Sequence, residues 1–163
     1  MKNELTQERL KELLHYDPET GLFTRLKMAQ GSPRKIGDVA GNLSQGYIRI
    51  GVDGVSYRAH RLVWLYMYGY WPTKSIDHIN RIKDDNRFVN LREASRSQNA
   101  QNVGLKKTNT SGYKGISWET RRKKWVVQLR LNIKPIFLGY YDDIDEAIAR
   151  YKEAQKIYHP FST

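Results

Sequence analysis

The stretch from residue 76 to residue 102, IDHINRIKDDNRFVNLREASRSQNAQN, constrains this chain more than any other. Lys74, Ser75, Ile76 and Asp77 read as a short strand that delivers Asp77 and His78, and Asp84, Asp85 and Asn86 mark a turn. Asn90 begins another element, and Leu91, Ala94, Ser95 and Gln98 keep helical spacing into Asn99. A strand, a turn and a helix this close together gather Asp77, His78, Asn90 and Asn99 into one compact unit. Taken singly, each Asn or Asp is a turn residue and His78 an exposed histidine. Taken together at this spacing, they make a site.

The residue types define its chemistry. A neutral imidazole is the side chain best matched to take a proton from water near neutral pH, which makes His78 the candidate general base. Its other ring nitrogen needs an acceptor to fix tautomer and direction, a role for the Asn90 side chain or a nearby backbone carbonyl. Asp77 and Asn99 offer hard oxygen ligands, suited to Mg²⁺ or Mn²⁺ and poorly suited to a soft metal.

Charge narrows the substrate. The 163 residues carry 28 Lys and Arg against 17 Asp and Glu, a net charge of +11, which calls for a polyanion. Nucleic acid leads, and an anionic membrane surface trails. Without a cysteine there is no disulfide framework and no thiolate zinc site. The first residues are charged, and no run approaches the ~20 apolar residues of a membrane span. A soluble protein acting in the cytoplasm, without membrane partners, is expected.

From the start, Thr6 caps a short helix with Leu10, Leu13 and Leu14 as its stripe. Turn residues follow at 17–21, then a short strand at 22–26 and a loop-rich crossing marked by Gly31, Pro33, Gly37 and Gly41. Residues 47–50 and 55–58 flank Asp53-Gly54, a hairpin signal, and place Arg49 and Arg58 on one surface. The aromatic run from Ala59 to Pro72 fits a buried helix that Gly69 and Pro72 close. Its aromatics read as core rather than as a base-stacking platform, and His60 as a packed or phosphate-facing histidine.

Beyond Asn102 a polar, basic linker leads to three strands, at 113–118, 125–131 and 136–141. In the middle one Trp125, Val127, Leu129 and Leu131 alternate with Val126, Gln128 and Arg130, so one face is buried and the other polar. A final helix, capped by Asp145, has Ile144, Ala147, Ile148, Tyr151, Ala154 and Tyr158 as its apolar stripe. Between Lys106 and Lys134 nine cations stand against the single acid Glu119, on strands and turns that also hold Trp118 and Gln128. This is how a sheet addresses a DNA groove.

Two resemblances follow from these residues. D-H-I-N, N-R-F-V-N-L-R and S-R-S-Q-N, with the preceding H-R-L-V, resemble the ββα-metal active site of HNH endonucleases over about residues 60–102, in the phage and intron-borne homing variant that ends the motif in Asn. The resemblance implies His78 as general base, Asn90 as orienting residue, and Asp77 and Asn99 as metal ligands. Asn86 also stands where family members carry an Asn, so Asn90 and Asn86 both stay open for the orienting role. S-G-Y-K-G-I-S-W, K-W-V-V-Q-L-R, F-L-G-Y-Y-D and D-E-A-I-A-R-Y resemble the sheet-plus-helix domain of plant APETALA/ethylene-response-factor regulators over about residues 109–160. By position Lys114 and Arg130 match cations that touch DNA in that domain, so the resemblance implies DNA binding in the major groove, with Lys114, Trp118, Arg121, Arg122, Lys124, Gln128 and Arg130 as the contact candidates. Ser117 and Glu119 stand where the plant domain places Arg, so its sequence specificity does not transfer.

The expectation is therefore an α+β protein: a helix and hairpin region (1–57), an HNH nuclease domain (58–103), a linker (104–110) and a DNA-binding sheet with one helix (111–163). Its expected function is divalent-metal-dependent endonucleolytic cleavage of double-stranded DNA, as a monomer or DNA-induced dimer, in a phage or mobile-element setting. A DNA-binding regulator with a dead nuclease centre is the alternative, in which Asp77→Ala changes no activity. A structural RNA-binding protein would prefer RNA to duplex DNA.

Overall fold

The computed structural model describes residues 4–27, 33–105, 107–131 and 134–161. Gly31 of the loop-rich crossing, Lys106 of the cation run and Asn132 of the last turn lie outside these residues. The fold is mixed α and β, with small antiparallel sheets and few helices. The chain divides into two compact units, Met1–Ser95 and Arg96–Thr163.

In the first unit Thr6 caps α1 (Gln7–Leu13) by accepting from the Arg9 amide at 3.2 Å. Leu14, expected in the helical stripe, instead begins β1 (Leu14–Tyr16), which pairs with β2 (Phe23–Arg25). A three-stranded sheet follows, β3 (Asn42–Ser44), β4 (Tyr47–Val52) and β5 (Val55–Arg58), in chain order. Its hairpin turns at Asp53 and Gly54, with φ of 48° and 76°, the two left-handed residues that match strand twist. Helix α2 (Ala59–Tyr68) buries Leu62, Val63, Trp64 and Leu65 and ends on Gly69 at φ 80°. Its core assignment holds for Trp64 but not for Tyr68, which is exposed.

The stretch that holds Asp77, His78 and Asn90 occupies β6 (Ser75–His78), a loop, one 3₁₀ turn at Phe88–Asn90, and β7 (Leu91–Ala94). The helical spacing of Leu91 and Ala94 is overridden. These residues pair antiparallel with β6, setting Asp77 opposite Arg92 and His78 opposite Leu91. The helix starts only at α3 (Arg96–Gln101), in the second unit.

The second unit continues with β8 (Ile116–Glu119), β9 (Lys124–Leu131) and β10 (Lys134–Tyr141), with β9 central, and ends in α4 (Ile144–Tyr158). Asp143, not Asp145, caps α4: its carboxylate accepts from the amides of Asp145 and Glu146. Ala147, Ile148, Tyr151 and Ala154 pack on Ile116, Val127 and Leu129. Tyr158, the last residue of the expected stripe, is exposed.

Candidate active site

His78 ends β6 and is 4% exposed. Its Nε2 lies 3.3 Å from Oδ1 of Asn86, itself buried. The direction of that amide is fixed, because its Nδ2 donates to the Asp84 carbonyl at 3.1 Å. Oδ1 therefore faces the imidazole as an acceptor, which puts the ring proton on Nε2 and leaves Nδ1 as the basic nitrogen. Burial pushes the His78 pKa below its ordinary value, and the Asn86 hydrogen bond and the carboxylates of Asp77, Asp85 and Asp84 pull it partly back. The ring is neutral at neutral pH.

Asn90 takes a different part. Its Oδ1 accepts from the Asn80 amide at 2.9 Å, and its Nδ2 donates to Asn80 Oδ1 at 3.0 Å and to the Asp85 carbonyl at 2.8 Å. These bonds tie the β6–β7 loop to itself. Of the two asparagines left open by the sequence, Asn86 is the one hydrogen-bonded to His78.

Two distant residues brace Asn86. The buried Tyr16 hydroxyl donates to its backbone carbonyl at 2.7 Å. Gly21, at φ +74°, packs so closely that an added Cβ would sit 2.5 Å from the Arg87 amide nitrogen and 2.6 Å from the Asn86 carbonyl carbon. Neither contact has a local signal in the sequence. On its other side His78 meets rings: His60 edge-on at 5.1 Å and Tyr47 at 6.1 Å. His60 is packed, 4% exposed, and its pKa is lowered to about 3, mainly by burial and then by His78 and two arginines.

Asp77 is half-buried, and its Oδ2 accepts from Arg92 Nε at 3.1 Å and Nη2 at 3.0 Å. Asn99 lies on α3, with Oδ1 buried and without a hydrogen-bond partner among the described residues. A carboxylate and an amide oxygen are each hard donors of the type that suits Mg²⁺ or Mn²⁺. Among the described residues no group of three or more His, Asp or Glu gathers into a metal cage.

In the second unit the register sorts the expected DNA contacts. Trp118 pairs with Trp125, and Ile116 with Val127, so Trp118 shares the α4 side of the sheet rather than its free face. Gln128 and Arg130 are exposed on the free face, beside Phe137 and Tyr140. Arg121 and Arg122 are exposed in the β8–β9 turn, where the Arg122 guanidinium lies over Tyr140 at 4.8 Å. Lys124 pairs with Asp142 at 2.8 Å. Lys114 donates to the carbonyls of Gln101 and Val103 at 2.9 and 3.1 Å, capping the end of α3.

Residues 57–101 match the family model for an HNH endonuclease. The segment is similar to an HNH endonuclease domain over those residues. Protein 3.8 of Escherichia phage T7 is 39% identical over 69 residues, 42% of this chain and 57% of that protein. The chain thus spans little more than half the length of this relative. Among solved structures, the chain is similar to the HNH homing endonuclease I-HmuI, studied for DNA binding and cleavage, at TM-score 0.44 and 20% identity, over 88% of this chain and 82% of that one. Among the described residues no helix is long and apolar enough to cross a membrane.

Proposed function

We propose that the protein is a divalent-metal-dependent endonuclease that hydrolyses phosphodiester bonds of double-stranded DNA. The observation that carries this reading is the buried His78, its tautomer set by Asn86, at the end of β6 inside the HNH segment. Nδ1 of His78 takes the proton of the attacking water, and Asn86 and the surrounding rings hold the imidazole in line. Asp77 and, by its motif position, Asn99 are the residues that would hold Mg²⁺ or Mn²⁺. The chemistry such an ion supplies when bound is neutralisation of charge on the phosphate and the departing oxygen. The products are a 5′-phosphate and a 3′-hydroxyl.

The second unit supplies DNA grip and sequence preference in this reading, as a sheet of the APETALA/ethylene-response-factor type. Its support is the three-stranded sheet backed by α4 and the exposed Arg121, Arg122, Gln128 and Arg130. Lys114 closes the end of α3, and the exposed Trp118 stays a contact candidate with Lys124. One centre per chain nicks one strand, so a double-strand break needs two chains brought together on DNA. The setting is a phage or mobile element in a host cytoplasm. Incubation of a duplex with Mg²⁺ or Mn²⁺, with and without chelator, tests the reading: a metal-dependent 5′-phosphate end supports it, and an intact duplex under every metal opposes it.

A further inference from the structure

The free face of the β3–β5 sheet carries cations that meet no acid among the described residues. Register sets Asn42, Arg49 and Arg58 side by side across the three strands, and Tyr47 shares that face two residues before Arg49. Arg49 and Arg58 are exposed and directly opposed, an arrangement that weakens a sheet. Among the described residues no carboxylate pairs with either. The remaining residues of the face, Ser44, Gly51 and Ser56, are uncharged.

This row leads to the site. The Arg58 guanidinium lies 4.7 Å from the centre of the Tyr47 ring, and Lys83, from the loop after β6, lies 5.1 Å from it. The same ring is 6.1 Å from that of His78. Two cations on an aromatic plate thus border the base, and Arg49 lies beside Arg58 in the next strand.

We propose that this face, through Arg49, Arg58 and Lys83, is a binding surface for the DNA backbone, continuous with His78 and additional to the C-terminal sheet. The proposal rests on the nuclease reading and names the path by which that substrate's phosphates reach the base. Two neighbouring backbone phosphates, one on each of the opposed guanidinium groups, relieve their repulsion and match each fork of donors. Arg58 and Lys83 are already held over the Tyr47 face, so less side-chain freedom is lost when they close on a phosphate.

The test measures affinity of the full chain for a short duplex in chelator, where nothing is cut, across a salt series. Wild type, Arg49→Gln/Arg58→Gln and Lys83→Gln are compared. Each phosphate contact adds about 0.9 to the slope of log affinity against log salt, so the double variant is expected to lose roughly 1.8 in slope and about tenfold or more in affinity at low salt. Lys83→Gln is expected to lose roughly half that slope. The double variant should melt no earlier than wild type, since a like-charge pair is gone. Lys83 lies outside the sheet, so its variant decides if the double variant melts early. Unchanged slope and affinity in a folded variant, with the wild type cutting DNA, overturns the surface alone. A wild type that neither binds nor cuts duplex DNA overturns the nuclease reading and the surface with it.

Discussion

The side-chain oxygen of Asn86 stands 3.3 Å from Nε2 of His78. Asn90, four residues on, uses its amide on Asn80 and on the Asp85 carbonyl. One asparagine addresses the base and the other holds the loop that carries the first.

Their substitutions should separate accordingly. Asn86→Ala frees the tautomer, and cleavage should fall by about 10²-fold or more while duplex affinity stays within a few-fold. Asn90→Ala leaves the part-buried Asn80 amide and Asp85 carbonyl without their partner, at roughly 1 kcal/mol each, and should lower the urea midpoint. A stable, inactive Asn90→Ala beside an active Asn86→Ala would exchange the two roles.

Gly21 should behave as a remote active-site residue. Gly21→Ala meets the backbone of Asn86 and Arg87 and adds about 1–2 kcal/mol of left-handed strain, so stability and turnover should both fall. Gly37 is the control: its φ is +87°, but an added Cβ meets nothing within 4 Å. Gly37→Ala should cost stability alone, and equal turnover in both variants would remove Gly21 from the support of Asn86.

Acid should destabilise the first unit through His60. Its pKa in the folded chain is about 3, below the ordinary 6.5, so the unfolded chain binds the proton more readily. The stability that the neutral ring contributes is complete above about pH 6.5 and is lost as the pH falls toward 3, at up to about 1.4 kcal/mol per unit. Melting temperatures from pH 7 to pH 4 should decline, and less steeply in His60→Phe. Parallel curves would assign the loss to other groups.

Asp77 faces Arg92 across the strand pair, and an amide there keeps one acceptor for the guanidinium. Asp77→Asn should thus fold with a melting temperature near that of wild type and lose metal-supported cleavage by about 10²-fold or more. Undiminished cleavage by this variant would remove Asp77 from the metal site.

Where the sequence was readable, a local rule had no competitor. Asp53-Gly54 supplies two residues that tolerate positive φ between alternating strands, and the hairpin forms there. The alternation of β9 identified its buried face correctly, because a period of two has one solution once one face is apolar. Where two rules competed, the sequence did not choose. Leu91 and Ala94 satisfy helical spacing, yet strand pairing with β6 prevails. Asp143 and Asp145 are both good caps, and the extended backbone of Asp143 decides. Trp118 looked like a free-face residue until cross-strand register placed it beside Trp125. The contacts of Tyr16 and Gly21 with Asn86 span some seventy residues, and no local pattern encodes them.

The proposed chemistry stands on His78 as the base. The most direct measurement incubates supercoiled plasmid with purified wild type and His78→Ala, each with Mg²⁺ or Mn²⁺ and with chelator, and resolves the products on a gel. Wild type should give metal-dependent open-circular DNA and His78→Ala none, with duplex affinity of the variant within a few-fold of wild type. Undiminished nicking by His78→Ala would contradict that role.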